Sequence, residues 1–274
     1  MSSTVVLVGL GNMGRKYLNK LLELNVKPTL CDLNFELKRE FQNFPFYHSY
    51  RDIEGNPSTV FVAINPQFHP EVAQYFLSKG AFVLLEKPPA LNYIDLARLA
   101  ENFGGYPFGV SEIERYSLAV KNFKPDPHKV KAVLINRLNG GRGYINPIWD
   151  LAWHDLYLIL YLFGEFEIKT VERKGDFYYR VRGEILKSIP FELNVAWNYP
   201  NVDRSWTILT SDGEIVLDFL NERRLENGKT VSLRKGKDKL YELVKDCLSG
   251  KYDTLSVQRA LFILKELEKR GKNL

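Results

Sequence analysis

Through its first part the chain alternates two arrangements of apolar and polar positions. Short segments that are apolar almost throughout, STVVLVG (3–9), KPTLCD (27–32), STVFVAIN (58–65), AFVLLEK (81–87) and YPFGVSEI (106–113), read as strands buried on both faces. Between them GRKYLNKLLELN (14–25), NFELKREFQNF (34–44), HPEVAQYFLSKG (69–80) and NYIDLARLAENFGG (92–105) read as amphipathic helices. Strands and helices in strict alternation build right-handed crossovers, so residues 1–122 are predicted to form an α/β domain around a doubly wound parallel sheet.

The pattern changes after the proline-punctuated FKPDPHK (123–129). KVKAVLINRLN (129–139) reads as a strand and INPIWDLAWHDLYLILYLFG (145–164) as an oily helix. Residues 167–235 read as strands separated by the turn signals KGD, NYPNVD, SDGE and ENGK. Hairpins without intervening helices predict an open-faced antiparallel sheet with a helix on one face, an α+β domain over residues 123–274. Two further amphipathic helices, DKLYELVKDCLSG and LSVQRALFILKELEKRG, close the chain.

Composition narrows the function classes. The 45% apolar and 26% charged residues fit a globular protein without low-complexity tracts. The longest apolar run, Leu156 to Phe163, falls short of the roughly 18 to 20 residues that cross a bilayer, so no membrane span is expected. No basic leader precedes the first strand, and a cytoplasmic protein is expected. The two cysteines, Cys31 and Cys247, lack disulfide or metal spacing, so no metal site is expected. A formal charge of +5 is spread among acidic residues, and only 222–239 is locally basic. That segment lacks interleaved aromatics and reads as a solvated hairpin, so no nucleic-acid partner is expected.

The candidate chemistry begins at GLGNMG, where Gly9, Gly11 and Gly14 enclose Asn12 and Met13 between the first strand and first helix. Glycines at this turn let a pyrophosphate approach the backbone, and the helix N-terminus meets its charge. Asp32 ends the second strand, where a carboxylate accepts the adenosine ribose hydroxyls and repels a 2'-phosphate, favouring NAD over NADP.

Added to these, EKPPALN (86–92), NPQFHPEVAQYFLSKG (65–80) and the D-x3-H of WDLAWHD resemble the glucose-fructose oxidoreductase, inositol dehydrogenase and MocA family, Gfo/Idh/MocA. RYSLAV (115–120), DGEIVLDF (212–219) and VQRALFILKELEKRG (257–271) extend the resemblance along the chain. It implies an N-terminal Rossmann domain for NAD or NADP, a C-terminal open-faced sheet, and a sugar or cyclitol substrate held between them. It also implies that Lys87, Asp150 and His154 carry the chemistry. On a helix Asp150 and His154, four residues apart, share a face.

An imidazole suits acceptance of a hydroxyl proton near neutral pH, and Lys87, held at the strand end by two prolines, can stabilise charge developing on the oxygen. Asp150 can fix a neighbouring hydroxyl. Glu86, Asn65 and Pro66 are expected to border the nicotinamide half of the cofactor. His69 matches a family position near the cofactor. Arg137, Arg142 and Tyr144 are expected to reach the substrate, and two converging arginines would suit an acidic or phosphorylated one.

The approach INPIWD lacks the glycines the family usually carries there, and Tyr157 replaces an acid three residues beyond the histidine. An NAD-dependent dehydrogenase acting on a secondary alcohol of a sugar, cyclitol or related polyol is the reading that follows. The alternatives are an NAD-dependent glycosidase without net redox change and a non-catalytic nucleotide-bound sensor. A homodimer or homotetramer formed through the open sheet face is expected.

Overall fold

The computed structural model of the chain describes residues 4–104, 107–143, 145–233 and 236–271. Ser3, Gly105, Tyr106, Tyr144, Arg234 and Lys235, which fall in segments discussed above, lie outside the described residues. The chain divides into two units: the described residues of Met1–Ser111 with Leu240–Leu261, and those of Glu112–Lys239 with Phe262–Leu274.

The first unit is built on six parallel strands, β1 (Val5–Val8), β2 (Thr29–Cys31), β3 (Phe46–Tyr47), β4 (Thr59–Val62), β5 (Phe82–Leu85) and β6 (Phe108–Val110). Their order is β3-β2-β1-β4-β5-β6, the Rossmann order. Every residue of β1 and β4 is buried, as a sheet covered on both faces requires. The order reverses between β1 and β4, which pair from Val5↔Thr59 to Val8↔Val62, so a crevice opens beyond their carboxyl ends.

The crossovers include helices α1 (Asn12–Glu23), α2 (Leu37–Glu40), α3 (His69–Leu77) and α4 (Tyr93–Asn102). α2 is a single turn where the sequence predicts a helix over 34–44. None of its residues is buried, so no apolar face sustains a longer helix. The two residues of β3, which pair Leu30↔Phe46 and Cys31↔Tyr47, are too few to leave a pattern in the sequence.

The division between units falls at Ser111 and Glu112, ahead of the boundary expected after residue 122, and the chain returns to the first unit near its end. α6 (Lys239–Leu248) contributes the buried Leu240, Leu243, Val244 and Cys247. Past it, the Tyr252 hydroxyl donates to the carbonyl of Val110, and Val110 N–H donates to Ser256 Oγ at 3.0 Å. These bonds satisfy backbone groups of β6, which is the edge of this sheet among the described residues. A side chain at Gly109 would stand 2.6 Å from the Tyr252 ring, so the close approach requires glycine there.

The second unit holds β7 (Val130–Leu138), β8 (Phe166–Arg173), β9 (Tyr178–Ile185), β10 (Ile189–Ala196), β11 (Asp203–Thr210), β12 (Gly213–Asp218), β13 (Arg223–Glu226) and β14 (Lys229–Thr230). They form one sheet in the order β14-β13-β12-β11-β7-β10-β9-β8. All neighbours are antiparallel except β7 and β10, which run parallel at the centre. Burial alternates along β9 and β10, so one face is covered and the other open. The open face carries cross-strand ion pairs such as Arg182 with Glu172 and Glu192. Within the basic segment, β13 and β14 form a hairpin turning at Asn227 and Gly228, both with positive φ, as a two-residue turn of the primed type demands.

The oily run forms a π-helical turn, Ile148–Ala152, continued by helix α5 (Trp153–Leu162). Helix α7 (Ser256–Glu268) ends in the second unit, where Phe262 packs edge-on against Phe166. Among the described residues no helix is long and apolar enough to cross a membrane.

Candidate functional site

In the first unit three glycines divide the work of one turn. Gly9 adopts φ +94°, and a side chain there would lie 2.3 Å from the carbonyl oxygen of Ala63. A side chain on Gly14 would lie 1.9 Å from the carbonyl oxygen of Gly9, so only glycine lets α1 start this close to β1. Gly11 differs, because a side chain there meets nothing within 4 Å. The fold therefore does not require glycine at position 11, whereas a ligand lying on the backbone does. Gly11 is also the N-cap of α1 and offers no side-chain acceptor, and the first turn, which includes Asn12 and Met13, holds no acidic residue. The amides and positive dipole end of this helix remain available to an anion, which fits a pyrophosphate.

Asp32 stands beyond β2 beside this turn. Its Oδ2 accepts Leu10 N–H at 2.7 Å and its Oδ1 accepts Asn34 N–H at 2.8 Å. An ionised carboxylate has about four acceptor positions, so two remain for ribose hydroxyls. Asp32 and Gly9 line a cavity of about 280 Å³ with Leu33, His48, Asn65 and Phe68 among its walls. His48 is stacked on Phe35, with ring centroids 4.1 Å apart. Asn65 is exposed, and its side chain accepts Gln67 N–H at 3.2 Å to start the turn Pro66–Phe68; Pro66 itself is buried. The glycine turn, the uncapped helix and Asp32 together fit NAD.

At the end of β5 the two residues of the EK pair face different surroundings. Glu86 is buried; its carboxylate accepts the Tyr17 hydroxyl, and also Lys87 N–H at 3.3 Å. The Glu86 side chain is thus turned into the domain, and the expectation that it borders the nicotinamide is left to its backbone. Burial and the adjacent carboxylate push the Tyr17 hydroxyl pKa well above its ordinary value, so Tyr17 stays a donor. Lys87 is half-buried at the rim, followed by the buried Pro88 and Pro89.

His69 is fully buried and bridges two loops of the same rim: Nδ1 lies 3.1 Å from the Pro88 carbonyl oxygen and Nε2 3.1 Å from that of Ile64. Burial outweighs both carbonyls and lowers its pKa to about 4, so the ring is neutral and its one N–H serves one of the two. His69 thus ties these two loops together.

In the second unit Asn146 starts the helix that carries Asp150 and His154. Its side-chain oxygen accepts Ile148 N–H at 2.8 Å, and its amide donates to the Tyr179 hydroxyl at 3.1 Å. Asp150 lies in the π-helical turn and His154 in the first turn of α5, both half-buried. His154 Nδ1 meets the Tyr157 hydroxyl at 3.3 Å. Sequence reasoning registered Tyr157 only as a missing acid; the i, i+3 spacing on the helix was the signal that it would touch the histidine.

The expectation that Arg137 reaches the substrate is corrected by its surroundings. Arg137 is 2% exposed, and its Nε and Nη2 donate to the two oxygens of the fully buried Asp155 at 3.0 and 2.8 Å. Its Nη1 donates to Glu114 at 3.2 Å, and Trp206 Nε1 donates to Asp155 at 2.8 Å. Although burial disfavours the charge, Asp155 and Glu114 raise the Arg137 pKa above its ordinary value, so Arg137 is a cation neutralised in the core. Arg142 is exposed, with its guanidinium 4.6 Å from the Phe177 ring centre. The two arginines do not share a surface, and Tyr144 lies outside the described residues.

Solved structures similar over nearly the whole chain include UDP-N-acetylglucosamine 3-dehydrogenase GnnA from Acidithiobacillus ferrooxidans, 19% identical, with TM-score 0.81 over 97% of this chain and 95% of that one. The WlbA dehydrogenase from Bordetella pertussis, in complex with NADH and UDP-GlcNAcA, is 18% identical with TM-score 0.80, covering 99% and 95%. GenD2 from gentamicin A biosynthesis, in complex with NAD, is 19% identical with TM-score 0.78, covering 97% and 92%. At these identities the likeness is one of fold. No curated protein sequence matches the chain. The profile described as "Oxidoreductase family, NAD-binding Rossmann fold" matches residues 3–104, the stretch that carries the glycine turn, Asp32 and Lys87. Over these residues the chain matches the Gfo/Idh/MocA oxidoreductase model, with its NAD-binding Rossmann fold.

Proposed function

We propose that the protein is an NAD-dependent dehydrogenase acting on a secondary alcohol of a sugar, cyclitol or related polyol, with sugar nucleotides the first substrates to try. The observation that carries the reading is the open space over Gly11, beside an uncapped helix and in line with Asp32. Two similar folds are named as dehydrogenases of, or are solved with, UDP-linked sugars, which supports the substrate class.

When bound, NAD supplies the hydride acceptor. Asp32 binds the adenosine ribose and refuses a 2'-phosphate by charge. His154 exchanges the hydroxyl proton of the substrate, Lys87 stabilises negative charge developing on that oxygen, and Asp150 fixes a neighbouring hydroxyl. Arg142, exposed on the loop before the helix, is the arginine retained for substrate contact.

The test incubates the protein with NAD and a panel of polyols, sugars and UDP-sugars and follows reduced nicotinamide by absorbance. Turnover with one class is expected. His154→Gln and Lys87→Ala are each expected to lose about 10²- to 10⁴-fold in kcat while NAD binding is retained. Turnover that survives His154→Gln, or a protein that does not bind NAD, overturns the proposal.

A further inference from the structure

Tyr157 is a buried hydroxyl placed between a backbone amide and the ring of His154. It is 1% exposed, so no bulk water answers its polar atoms. A tyrosine hydroxyl has one proton and accepts through its oxygen. The oxygen accepts Glu114 N–H at 2.8 Å. That amide is held in place, because the Glu114 carboxylate is tied to Arg137 at 3.2 Å and to Lys239 at 2.7 Å. Burial pushes the hydroxyl pKa well up, and the nearby Glu114 adds to this, so the proton stays on Tyr157. Among the described residues the acceptor within its reach is His154 Nδ1, at 3.3 Å.

We propose that Tyr157 is a positioning residue that holds His154 in the tautomer with its proton on Nε2. With Nδ1 accepting from the tyrosine, the neutral ring carries its hydrogen on the other nitrogen. The opposite tautomer would place a second N–H on the Tyr157 oxygen and leave the tyrosine proton without an acceptor in a buried place. The consequence for turnover rests on the reading of His154 as the group that exchanges the substrate proton. An Nε2–H is a hydrogen-bond donor to a substrate oxygen and suits the carbonyl form. Taking up a hydroxyl proton at Nε2 first requires the ring proton on Nδ1, with the tyrosine hydroxyl turned away. The resting ring therefore offers the substrate oxygen a donor, and proton uptake from the alcohol includes a tautomer exchange.

The tautomer is read directly from long-range proton–nitrogen correlation spectra of the full-length, cofactor-free protein labelled with nitrogen-15, recorded above the pH range in which imidazole titrates. The chain has four histidines, and His154→Gln identifies the signals of this one by their loss. The expected pattern is an unprotonated, hydrogen-bonded Nδ1 and a protonated Nε2. In Tyr157→Phe the Nδ1 resonance is expected to move toward that of an unprotonated nitrogen without a donor. A proton on Nδ1 in the unsubstituted protein overturns the proposal, as does an Nδ1 resonance that Tyr157→Phe leaves in place. Should the phenylalanine variant fail to fold, the unsubstituted pattern decides. The spectra need no turnover, so a wrong tautomer leaves the dehydrogenase reading standing, and a protein inactive on every polyol leaves the tautomer assignment standing.

Discussion

The backbone N–H of Leu10 donates to Oδ2 of Asp32 at 2.7 Å, so the glycine turn and the carboxylate proposed to select the cofactor are one hydrogen-bonded assembly. Replacing Asp32 by asparagine keeps an oxygen for Leu10 and removes the charge. Loss of a charged acceptor for the ribose hydroxyls is expected to weaken NAD binding by about 1.5 to 3 kcal/mol, roughly 10- to 100-fold. Binding of NADP is expected to improve relative to NAD, since the repulsion of the 2'-phosphate is gone. Fluorescence titration with both cofactors checks this, and unchanged discrimination in Asp32→Asn would show that another group excludes NADP.

On the proposed reading Gly11 serves the ligand, whereas Gly14 serves the fold. Gly14→Ala drives a methyl into the Gly9 carbonyl, which sits 1.9 Å from the new atom and belongs to backbone that cannot swing aside. A stability loss of roughly 1 to 3 kcal/mol or more is expected. Gly11→Ala meets open space and is expected to cost no more than about 1 kcal/mol, the penalty of alanine at a helix N-cap. Its NAD affinity is nevertheless expected to fall about tenfold or more, at 1.4 kcal/mol per factor of ten. Urea denaturation and cofactor titration of the two variants would give opposite rankings. Equal loss of stability in both variants would count against the division.

The first unit was legible because its chemistry and its fold share a signal. Buried parallel strands leave continuous apolar runs, and the same strand ends carry GLGNMG, Asp32 and Lys87. What stayed hidden had no local signature. β3 is two residues long, and the return of Tyr252 and Ser256 to the edge of β6 is written in hydrogen bonds across more than a hundred residues. Arg137 misled because a lone arginine in a strand reads as surface, and its buried state depends on Asp155 arriving from α5. Burial of a charge is decided by its partner. Tyr157 is the reverse case: in the sequence it stands out only as the replacement of an acid, and its oxygen's two contacts show another role.

Arg137 is expected to matter for stability and Arg142 for substrate. Arg137→Met leaves Asp155 and Glu114 facing each other in the core without their shared cation, although Lys239 still reaches Glu114. Breaking a buried pair from one side is expected to cost about 3 to 5 kcal/mol. Arg142→Ala removes an exposed side chain and is expected to change stability by no more than about 0.5 kcal/mol. If Arg142 touches the substrate, its loss raises KM with kcat nearly kept. Denaturation midpoints and steady-state kinetics of both variants test the assignment. A stable Arg137→Met protein with a raised KM would restore Arg137 to the substrate.

His69 makes the folded state sensitive to mild acid in a defined window. Its pKa is lowered by burial to about 4, against about 6.5 in an unfolded chain. Above pH 6.5 the ring is neutral in both states and contributes no slope. As the pH falls below that value the unfolded chain binds a proton that the folded protein refuses until about pH 4, so the unfolded state gains. Stability is expected to fall by roughly 3 kcal/mol across this window from His69 alone, at about 1.36 kcal/mol per pH unit. His69→Gln can still donate to one of the carbonyls of Ile64 and Pro88 but does not titrate. The variant is therefore expected to start less stable near neutral pH, from imperfect packing, and to lose less on acidification. Unfolding free energies of both proteins measured by urea between pH 7 and pH 4 give the comparison. Parallel pH slopes would mean that the imidazole is already charged in the folded protein, donating from both nitrogens to the loops it joins.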